Sequence, residues 1–369
     1  MLSFLLLCAV LFLAYANGAN DTFKGVATLF GSRTADYRRA LWWAMGTTFA
    51  GSCAAIFLSS GLVRAFSGTG LVPDVLTHDP RFLLAVGMGA ALTVLLAAVT
   101  GRPISTTHAL TGALVGTGLS AAGAVNLGRL GQGFFAPLLF SPLVSLAMTG
   151  VLYPCLRSLR LRLGVEREMC LCLDGGAMEP IAVHPDGSAV LRSTGLRLSV
   201  GQLQACVQRY HGRVFGIDAQ RMLDRLHVLS AGAVSFARGV NDAPKIVALL
   251  VAASTLNLPR AEALILVGMA MAAGGLLSAR RVALTMSKRI TAMNHGQGCT
   301  ANLVTAFLVL IASPWGLPVS TTHVACGSLF GLGAVTRQGH WGTVRSILLA
   351  WVVTLPVAAT TAALLYRLS

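Results

Sequence analysis

Charged residues are scarce in this chain of 369 residues. Only 11% of the residues are Asp, Glu, Lys or Arg, and only 13 are acidic. A soluble globular domain carries about 25% charged residues, so this composition argues against an ordinary soluble enzyme or binding module. Hydrophobic residues make up 55% of the chain, and its mean hydropathy is +0.72. We therefore predict an all-α polytopic membrane protein.

Catalytic and metal-binding patterns are also missing from the sequence. The eight cysteines show no zinc-ligand spacing, and Cys170 and Cys172 are separated by a single residue. The sequence contains no Gly-x-Ser-x-Gly turn of the kind that carries a hydrolase nucleophile. We therefore predict that the chain is not an enzyme and needs no cofactor.

Basic residues outnumber acidic ones, and the net charge is +15. In a soluble protein such an excess would suggest nucleic-acid binding. Here the basic residues lie mostly in short segments between apolar spans, which is the pattern that orients a protein in a membrane. We therefore predict no nucleic-acid partner. We expect a multi-pass protein of the cell inner membrane that is surrounded by the lipid bilayer.

Two polar motifs interrupt the apolar sequence, and each of them occurs twice. Asn-Gly-Ala-Asn-Asp at residues 17–21 has a counterpart in Arg-Gly-Val-Asn-Asp at residues 238–242. Pro-Ile-Ser-Thr-Thr-His at residues 103–108 has a counterpart in Pro-Val-Ser-Thr-Thr-His at residues 318–323. A duplication of this length corresponds to half a protein rather than to a short structural repeat.

A more polar segment separates the two apolar halves. We predict a first transmembrane repeat over residues 1–157, an insert over residues 158–226 and a second transmembrane repeat over residues 227–369. The Asp-Gly turn within residues 183–190 predicts a β-hairpin, and residues 201–210 predict an amphipathic helix. The insert is therefore expected to be a small α+β domain.

The loops of the two halves differ in their basic residues. The loop after the first Asn-Asp motif carries Arg33, Arg38 and Arg39, whereas its counterpart at residues 257–262 carries one Arg and one Glu. A parallel duplication would keep the same loop basic in both halves. The reversal therefore predicts two inverted repeats, with the insert in the cytoplasm.

Each motif suggests a kind of binding. An Asn-Asp pair inside an apolar segment is costly without a partner, and an adjacent Gly allows the helix to break and expose carbonyl groups to a cation. A Ser-Thr-Thr triplet after a Pro marks a helix start, where hydroxyl and backbone N–H groups attract an anion. Purely structural interpretations remain open. The Asn-Asp pair could close a helix kink, and the hydroxyls could bond back within their helix.

Together these motifs resemble the PiT family of inorganic phosphate transporters. The resemblance covers both apolar halves and includes a further stretch from Gly274 to Ala306. It implies broken helices, re-entrant segments and a secondary active transporter that moves inorganic phosphate by alternating access, coupled to sodium or protons. Sulfate or another tetrahedral oxyanion is the alternative substrate, and a passive anion channel is the alternative mechanism. A homodimer is a possible assembly.

The predicted site combines residues from both halves. The substrate-binding set is Ser105, Thr106, Thr107, Ser320, Thr321, Thr322, Asn20 and Asn241. The coupling-cation set is Asp21, Asp242, Lys24 and Lys245. The residues that follow the triplets, His108 and His323, could act as proton carriers or as hydrogen-bonding struts.

The chain departs from the family pattern at two positions. Sodium-coupled members usually have Asn three residues after the Asp, whereas this chain has Lys24 and Lys245 there. A spacing of three residues places Lys and Asp on one helical face. The ammonium group could replace a bound sodium ion, or the two residues could form a simple ion pair. The coupling ion therefore stays open between sodium and proton.

Overall fold

The computed structural model describes residues 1–167, 171–174, 178–183, 189–193, 197–200, 210–214, 216–253 and 258–369. The chain divides into two compact units. One unit comprises Met1–Arg157 and Leu223–Ser369, and the other comprises Ser158–Met222.

The larger unit is built from helices. In chain order the helices are α1 (Leu2–Asp21), α2 (Ala27–Gly31), α3 (Tyr37–Leu58), α4 (Ser60–Phe66), α5 (Asp74–Thr77), α6 (Pro80–Val99), α7 (Thr106–Ala122), α8 (Leu127–Leu130), α9 (Ala136–Arg162), α10 (Ala219–Ala252), α11 (Arg260–Ser278), α12 (Arg280–Leu284), α13 (His295–Ala312), α14 (Thr321–Thr336) and α15 (Trp341–Leu368). A 3₁₀ turn, Thr22–Lys24, follows α1 directly.

Within the part of the chain that the structure describes, seven helical stretches are long and apolar enough to cross a membrane. They are Leu2–Lys24, Tyr37–Leu58, Pro80–Val99, Leu127–Arg162, Arg260–Ser278, His295–Ala312 and Trp341–Leu368. About 20 residues of helix cross a bilayer core. The predicted all-α polytopic membrane protein is therefore confirmed, while the inverted orientation of the two repeats stays a prediction.

The helices that follow the two Ser-Thr-Thr motifs are shorter. α7 has 17 residues and α14 has 16, which gives each a length of roughly 25 Å at 1.5 Å per residue. The hydrocarbon core of a bilayer is about 30 Å thick. Both helices are shorter than each of the seven stretches above, which is compatible with the predicted re-entrant segments, and their re-entrant placement stays a prediction.

The two Asn-Asp motifs differ in their backbone. α1 ends at Asp21, as a broken helix requires, but α10 continues through Asp242 and Pro244. The expected break at the second motif is therefore wrong. Pro244 has no N–H to donate to the carbonyl of Val240, and the Ser59 hydroxyl donates to that carbonyl instead, at 2.8 Å. A side chain from α3–α4 thus satisfies the free carbonyl, and the helix persists.

The smaller unit contains short antiparallel strand pairs. Its strands are β1 (Glu166–Arg167), β2 (Leu171–Asp174), β3 (Met178–Val183), β4 (Ala189–Ser193), β5 (Arg197–Val200), β6 (Tyr210–His211), β7 (Arg213–Val214) and β8 (Ile217–Asp218). β1 pairs with β6, β2 with β5, β3 with β4 and β7 with β8. Val183 pairs with Ala189, as the predicted hairpin requires. Residues 184–188 of its turn and residues 201–209 of the predicted helix lie outside the described residues.

Two glycines bring α1 and α11 into backbone contact beside the first Asn-Asp motif. A Cβ atom at Gly18 would overlap the carbonyl oxygen of Met271, and one at Gly274 would overlap that of Tyr15. Small residues of this kind allow membrane helices to approach closely. The end of α1 that carries Asp21 is thereby held against α11.

Gly274→Val should therefore destabilise the fold. Its branched side chain meets backbone atoms that cannot move aside, and overpacking typically costs about 1–3 kcal/mol. We expect a lower thermal unfolding midpoint for the purified protein in detergent. Gly46→Val in α3 is the matched control, because a Cβ atom there meets nothing within 4 Å. Equal loss of stability in both variants would contradict the proposed close contact.

Candidate anion and cation site

The twelve residues predicted from the sequence meet in one buried cluster. They come from the end of α1 and the 3₁₀ turn that follows it, from α10 and from the starts of α7 and α14. The side chains are all at most 4% exposed: Asn20, Asp21, Lys24, Ser105, Thr106, Thr107, Asn241, Asp242, Lys245, Ser320, Thr321 and Thr322. Residues 80 or more positions apart in the sequence are thus brought into hydrogen-bonding contact.

Ser105 and Ser320 begin the two short helices as N-cap residues. The Ser105 hydroxyl oxygen accepts from the backbone N–H of His108 at 3.1 Å, and that of Ser320 accepts from His323 at 3.2 Å. Both have nearly the same extended backbone, with φ −96° and ψ 118° in the first and φ −100° and ψ 118° in the second. Their oxygens are engaged in capping, so only their hydroxyl protons remain to serve a ligand.

Asp21 divides its two carboxylate oxygens between two kinds of partner. Oδ1 lies 2.5 Å from the Lys24 ammonium nitrogen. Oδ2 accepts from the Asn17 amide at 3.2 Å and from the Thr106 hydroxyl at 3.5 Å. One oxygen therefore faces a cation, and the other faces the start of α7.

Asp242 divides its oxygens in the same way. Oδ1 accepts from the Asn241 amide at 2.9 Å and lies 3.6 Å from the Lys245 nitrogen. Oδ2 accepts from the Thr321 hydroxyl at 3.3 Å and from the Asn17 amide at 3.5 Å. The Oδ2 atoms of both aspartates thus approach the same amide nitrogen, and each points to the first Thr of its own triplet.

Each lysine connects the two halves of the chain. The Lys24 ammonium group donates to the Ile104 carbonyl at 2.8 Å and to the Thr322 hydroxyl of the other half at 2.5 Å. The Lys245 ammonium group donates to the Val319 carbonyl at 2.7 Å and to the Thr107 hydroxyl of the other half at 2.9 Å. Ile104 and Val319 occupy equivalent positions, one residue before the N-cap serine.

Asn20 and Asn241 hold the extended segments that precede the short helices. Asn20 donates to the Arg102 carbonyl at 2.9 Å and accepts from the Ile104 N–H at 3.2 Å. Asn241 donates to the Val319 carbonyl at 3.2 Å and accepts from the Ser313 hydroxyl at 3.3 Å. In the structure, both predicted substrate ligands therefore form hydrogen bonds that join their own helix to the segment before a short helix.

The sequence prediction missed Arg238 and Asn17, which occupy equivalent positions in the two motifs. Arg238 is 1% exposed, and its guanidinium donates to the side-chain amide oxygen of Asn17, Oδ1, at 2.7 Å. It also donates to the hydroxyls of Thr22 at 3.2 Å and Thr48 at 3.3 Å. Its Nε lies 3.7 Å from Asp242 Oδ2. Arg238 lies four positions before Asp242, a spacing that places both side chains on one helical face. This spacing is the signal in the sequence that points to Arg238.

The buried cluster carries an excess of positive charge. Lys24, Lys245 and Arg238 face two carboxylates, Asp21 and Asp242, so the formal sum of the five groups is +1. Charges act strongly on each other where water is excluded. The cluster as a whole therefore favours an anion. Among the described residues, no group of three or more His, Cys, Asp or Glu side chains could hold a metal ion.

The two histidines after the triplets pack against each other. The ring centroids of His108 and His323 are 4.6 Å apart, and the His323 ring lies 3.9 Å from that of Trp351. His323 Nδ1 lies 3.1 Å from the Leu138 carbonyl oxygen. The Trp351 indole donates to the Pro103 carbonyl at 3.0 Å. This packing favours the strut interpretation over the proton-carrier interpretation.

Comparisons with known proteins agree with this architecture. A protein of Rhizobium meliloti named "probable low-affinity inorganic phosphate transporter" is 30% identical, and the match covers 98% of this chain and 94% of that protein. The chloroplastic inorganic phosphate transporter 2-1 of Arabidopsis thaliana is 27% identical, with 98% and 71% covered. These relatives are named as transporters, as expected for a chain that is not an enzyme.

A solved structure shares the fold over the whole chain. It is described as the sodium-dependent phosphate transporter, and it matches with a TM-score of 0.75 at 21% identity, covering 100% of this chain and 98% of that one. The model of the phosphate transporter family matches residues 17–362. The resemblance seen in the duplicated motifs is thereby confirmed, and the chain belongs to the phosphate transporter family.

Proposed function

We propose that this chain is a secondary active transporter that moves inorganic phosphate across the membrane by alternating access, coupled to a cation that is sodium or a proton. The observation that carries the proposal is that the two carboxylate oxygens of each aspartate contact different partners. One oxygen of Asp21 and of Asp242 faces an ammonium group, and the other faces a helix start. A single carboxylate can therefore connect the cation site to the anion site in each half.

The anion would bind where the starts of α7 and α14 converge. Both helix starts present hydroxyl groups and the positive end of a helix dipole, which is a common arrangement for phosphate. The formal charge of +1 supports an anion there. In this proposal the donors are Ser105, Thr106, Thr107, Ser320, Thr321 and Thr322, while Asn20 and Asn241 position the segments that carry them.

The aspartates favour phosphate over sulfate. Phosphate still carries a proton at neutral pH and can donate it in a hydrogen bond to a carboxylate, whereas sulfate cannot. Asp21 Oδ2 and Asp242 Oδ2 receive only bonds of 3.2 Å or longer, so both can accept a better donor. An anion that lacks a proton would place its negative charge beside these carboxylates without donating a hydrogen bond to them, so it would bind less well.

Burial supports alternating access. Since the twelve predicted residues are at most 4% exposed, phosphate reaches them only if the helices around them move. A rocking motion of two inverted repeats about a central site would open each side in turn. The hydrogen bonds of Thr322 with Lys24 and of Thr107 with Lys245 join the two halves, so such a motion would have to rearrange these bonds.

Uptake of radiolabelled phosphate by proteoliposomes tests the proposal. We expect phosphate to accumulate above its external concentration when a proton or sodium gradient is imposed. Sulfate should compete at least about tenfold less well, because one lost charge-assisted hydrogen bond costs roughly 1.5–3 kcal/mol. Uptake that only equilibrates phosphate would identify a passive channel. Equal competition by sulfate would identify a general oxyanion permease.

A further inference from the structure

The Lys24 ammonium group lies in a complete cage of oxygen atoms. Its neighbours are the carboxylate of Asp21 at 2.5 Å, the amide oxygen of Asn20 at 2.9 Å, the carbonyl of Ile104 at 2.8 Å and the hydroxyl of Thr322 at 2.5 Å. Carboxylate, amide and carbonyl oxygens are the ligands that hard metal cations take in proteins. The side chain is 3% exposed, so the cage is closed around it.

The Lys245 ammonium group occupies the equivalent cage in the second half. Its oxygens come from Val319 at 2.7 Å, Thr107 at 2.9 Å and Asp242 at 3.6 Å. A carboxylate, a carbonyl from the extended segment and a hydroxyl from the opposite triplet thus recur in both cages. The second cage is looser, since its carboxylate is more than 1 Å farther from the nitrogen than in the first.

Lysine is rare in this chain. Of the 28 basic residues only three are Lys, at positions 24, 245 and 288, and two of the three fill these cages. An ammonium group is a compact point charge with three donors, whereas the planar guanidinium of Arg spreads its charge over a wider fork. In a chain that otherwise uses Arg, the choice of Lys suits a pocket shaped for a small spherical cation.

We propose that the Lys24 and Lys245 ammonium groups take the places of bound metal cations, so that neither cage admits free sodium and transport of phosphate does not require it. This rests on the proposed phosphate transport and narrows the coupling ion to the proton. The oxygens that a sodium ion would need are already engaged by nitrogen atoms that cannot diffuse away. A tethered cation also loses less translational freedom on entering the cage than a free ion does.

The charged and titratable groups around the two cages come from several helices. They are Asp21 on α1, Arg238 and Asp242 on α10, and the Cys326 thiol and His323 imidazole on α14. Because two acids serve three bases, a sodium ion would add a fourth positive charge to a cluster whose formal sum is already +1. Electrostatic repulsion therefore acts in the same direction as the filled cages.

Two measurements on the purified, full-length protein test the inference. In proteoliposomes at fixed pH and membrane potential, sodium is replaced stepwise by choline. Over a roughly hundredfold range of sodium, the initial rate of phosphate uptake should vary less than about twofold, because no site is left to saturate. In detergent, sodium should not raise the thermal unfolding midpoint above that in choline. This second readout holds even if phosphate is not the substrate, so it separates the inference from the proposed function.

The variant Lys24→Asn with Lys245→Asn empties both cages and leaves their other oxygens in place. We expect it to gain stabilisation by sodium that the wild type lacks, while Lys288→Asn, an exposed residue over the Phe30 ring, should behave as the wild type. Steep, saturable sodium dependence of uptake in the wild type, or its stabilisation by sodium, would overturn the inference. Should the double variant fail to fold, the wild-type titrations still decide it.

Discussion

Asp21→Asn should reduce phosphate uptake by at least about a hundredfold while the protein stays folded in the membrane. An amide keeps the shape of the carboxylate but loses its charge and one of its two acceptor oxygens. Two interactions are lost together: the ion pair with Lys24 at 2.5 Å and the acceptor that faces Thr106. Hydrogen bonds to charged groups are each worth roughly 1.5–3 kcal/mol, or about tenfold to a hundredfold.

The measurement is the initial rate of phosphate uptake in proteoliposomes with matched amounts of protein. Asp36→Asn provides the control. Asp36 is the N-cap of α3, accepts from the Arg39 N–H at 2.8 Å and is exposed, and Asn caps a helix about as well as Asp. Its uptake should therefore match the wild type. Wild-type uptake by Asp21→Asn would remove Asp21 from the site.

A double variant separates two roles for Asp21. If the carboxylate only neutralises Lys24, removing both charges with Asp21→Asn and Lys24→Met should restore uptake. If it also accepts a proton from phosphate, the double variant should stay inactive, which is the result we expect. Asp242→Asn should show the same loss as Asp21→Asn, because Asp242 divides its oxygens between Lys245 and Thr321 in the same way.

Local spacing and duplication predicted much of the site. The interval of three residues between Asp21 and Lys24 placed both on one face, and the structure joins them at 2.5 Å. The Pro before each triplet indicated a helix start, and α7 and α14 begin at Thr106 and Thr321. These features depend on residues a few positions apart, so they can be read from one sequence.

Contacts between distant segments could not be read in this way. The hydrogen bonds from Lys24 to Thr322 and from Lys245 to Thr107 join different halves of the chain, so they depend on how the two halves pack. The continuity of α10 depends on Ser59, which lies 181 positions before the carbonyl it satisfies. A Pro next to a polar motif predicts a break only if no other element supplies the missing donor.

Arg238 shows a different limit, because its signal was present in the sequence. The motif comparison aligned it with Asn17, and a charged side chain inside an apolar segment is a functional candidate by default. The Asn-Asp pair alone does not indicate a role for the first position of the motif. The structure makes that position the link between α1, α3 and α10, through Thr22 and Thr48 as well as Asn17.

Arg238→Met should therefore impair both folding and transport. Met fills a similar length without charge, so it leaves Asp242 Oδ2 and the side-chain oxygen of Asn17 without their guanidinium partner. Removing one member of a buried charged network typically costs about 3–5 kcal/mol. The formal charge of the five-group cluster also falls from +1 to zero, which weakens the attraction for an anion. We expect a lower thermal unfolding midpoint, and a higher KM for phosphate in the fraction that folds.

Two further variants show which property of Arg238 matters. Arg238→Lys keeps the charge, but a single ammonium group cannot reach Asn17, Thr22 and Thr48 together, so it should recover the KM for phosphate more than the stability. Arg39→Met removes an exposed arginine whose surface ion pair at 3.4 Å is worth at most about 1 kcal/mol, and it should change neither quantity. If Arg238→Met unfolded at the wild-type temperature and transported phosphate with the wild-type KM, the guanidinium would be neither a link between the helices nor a source of the site's positive charge.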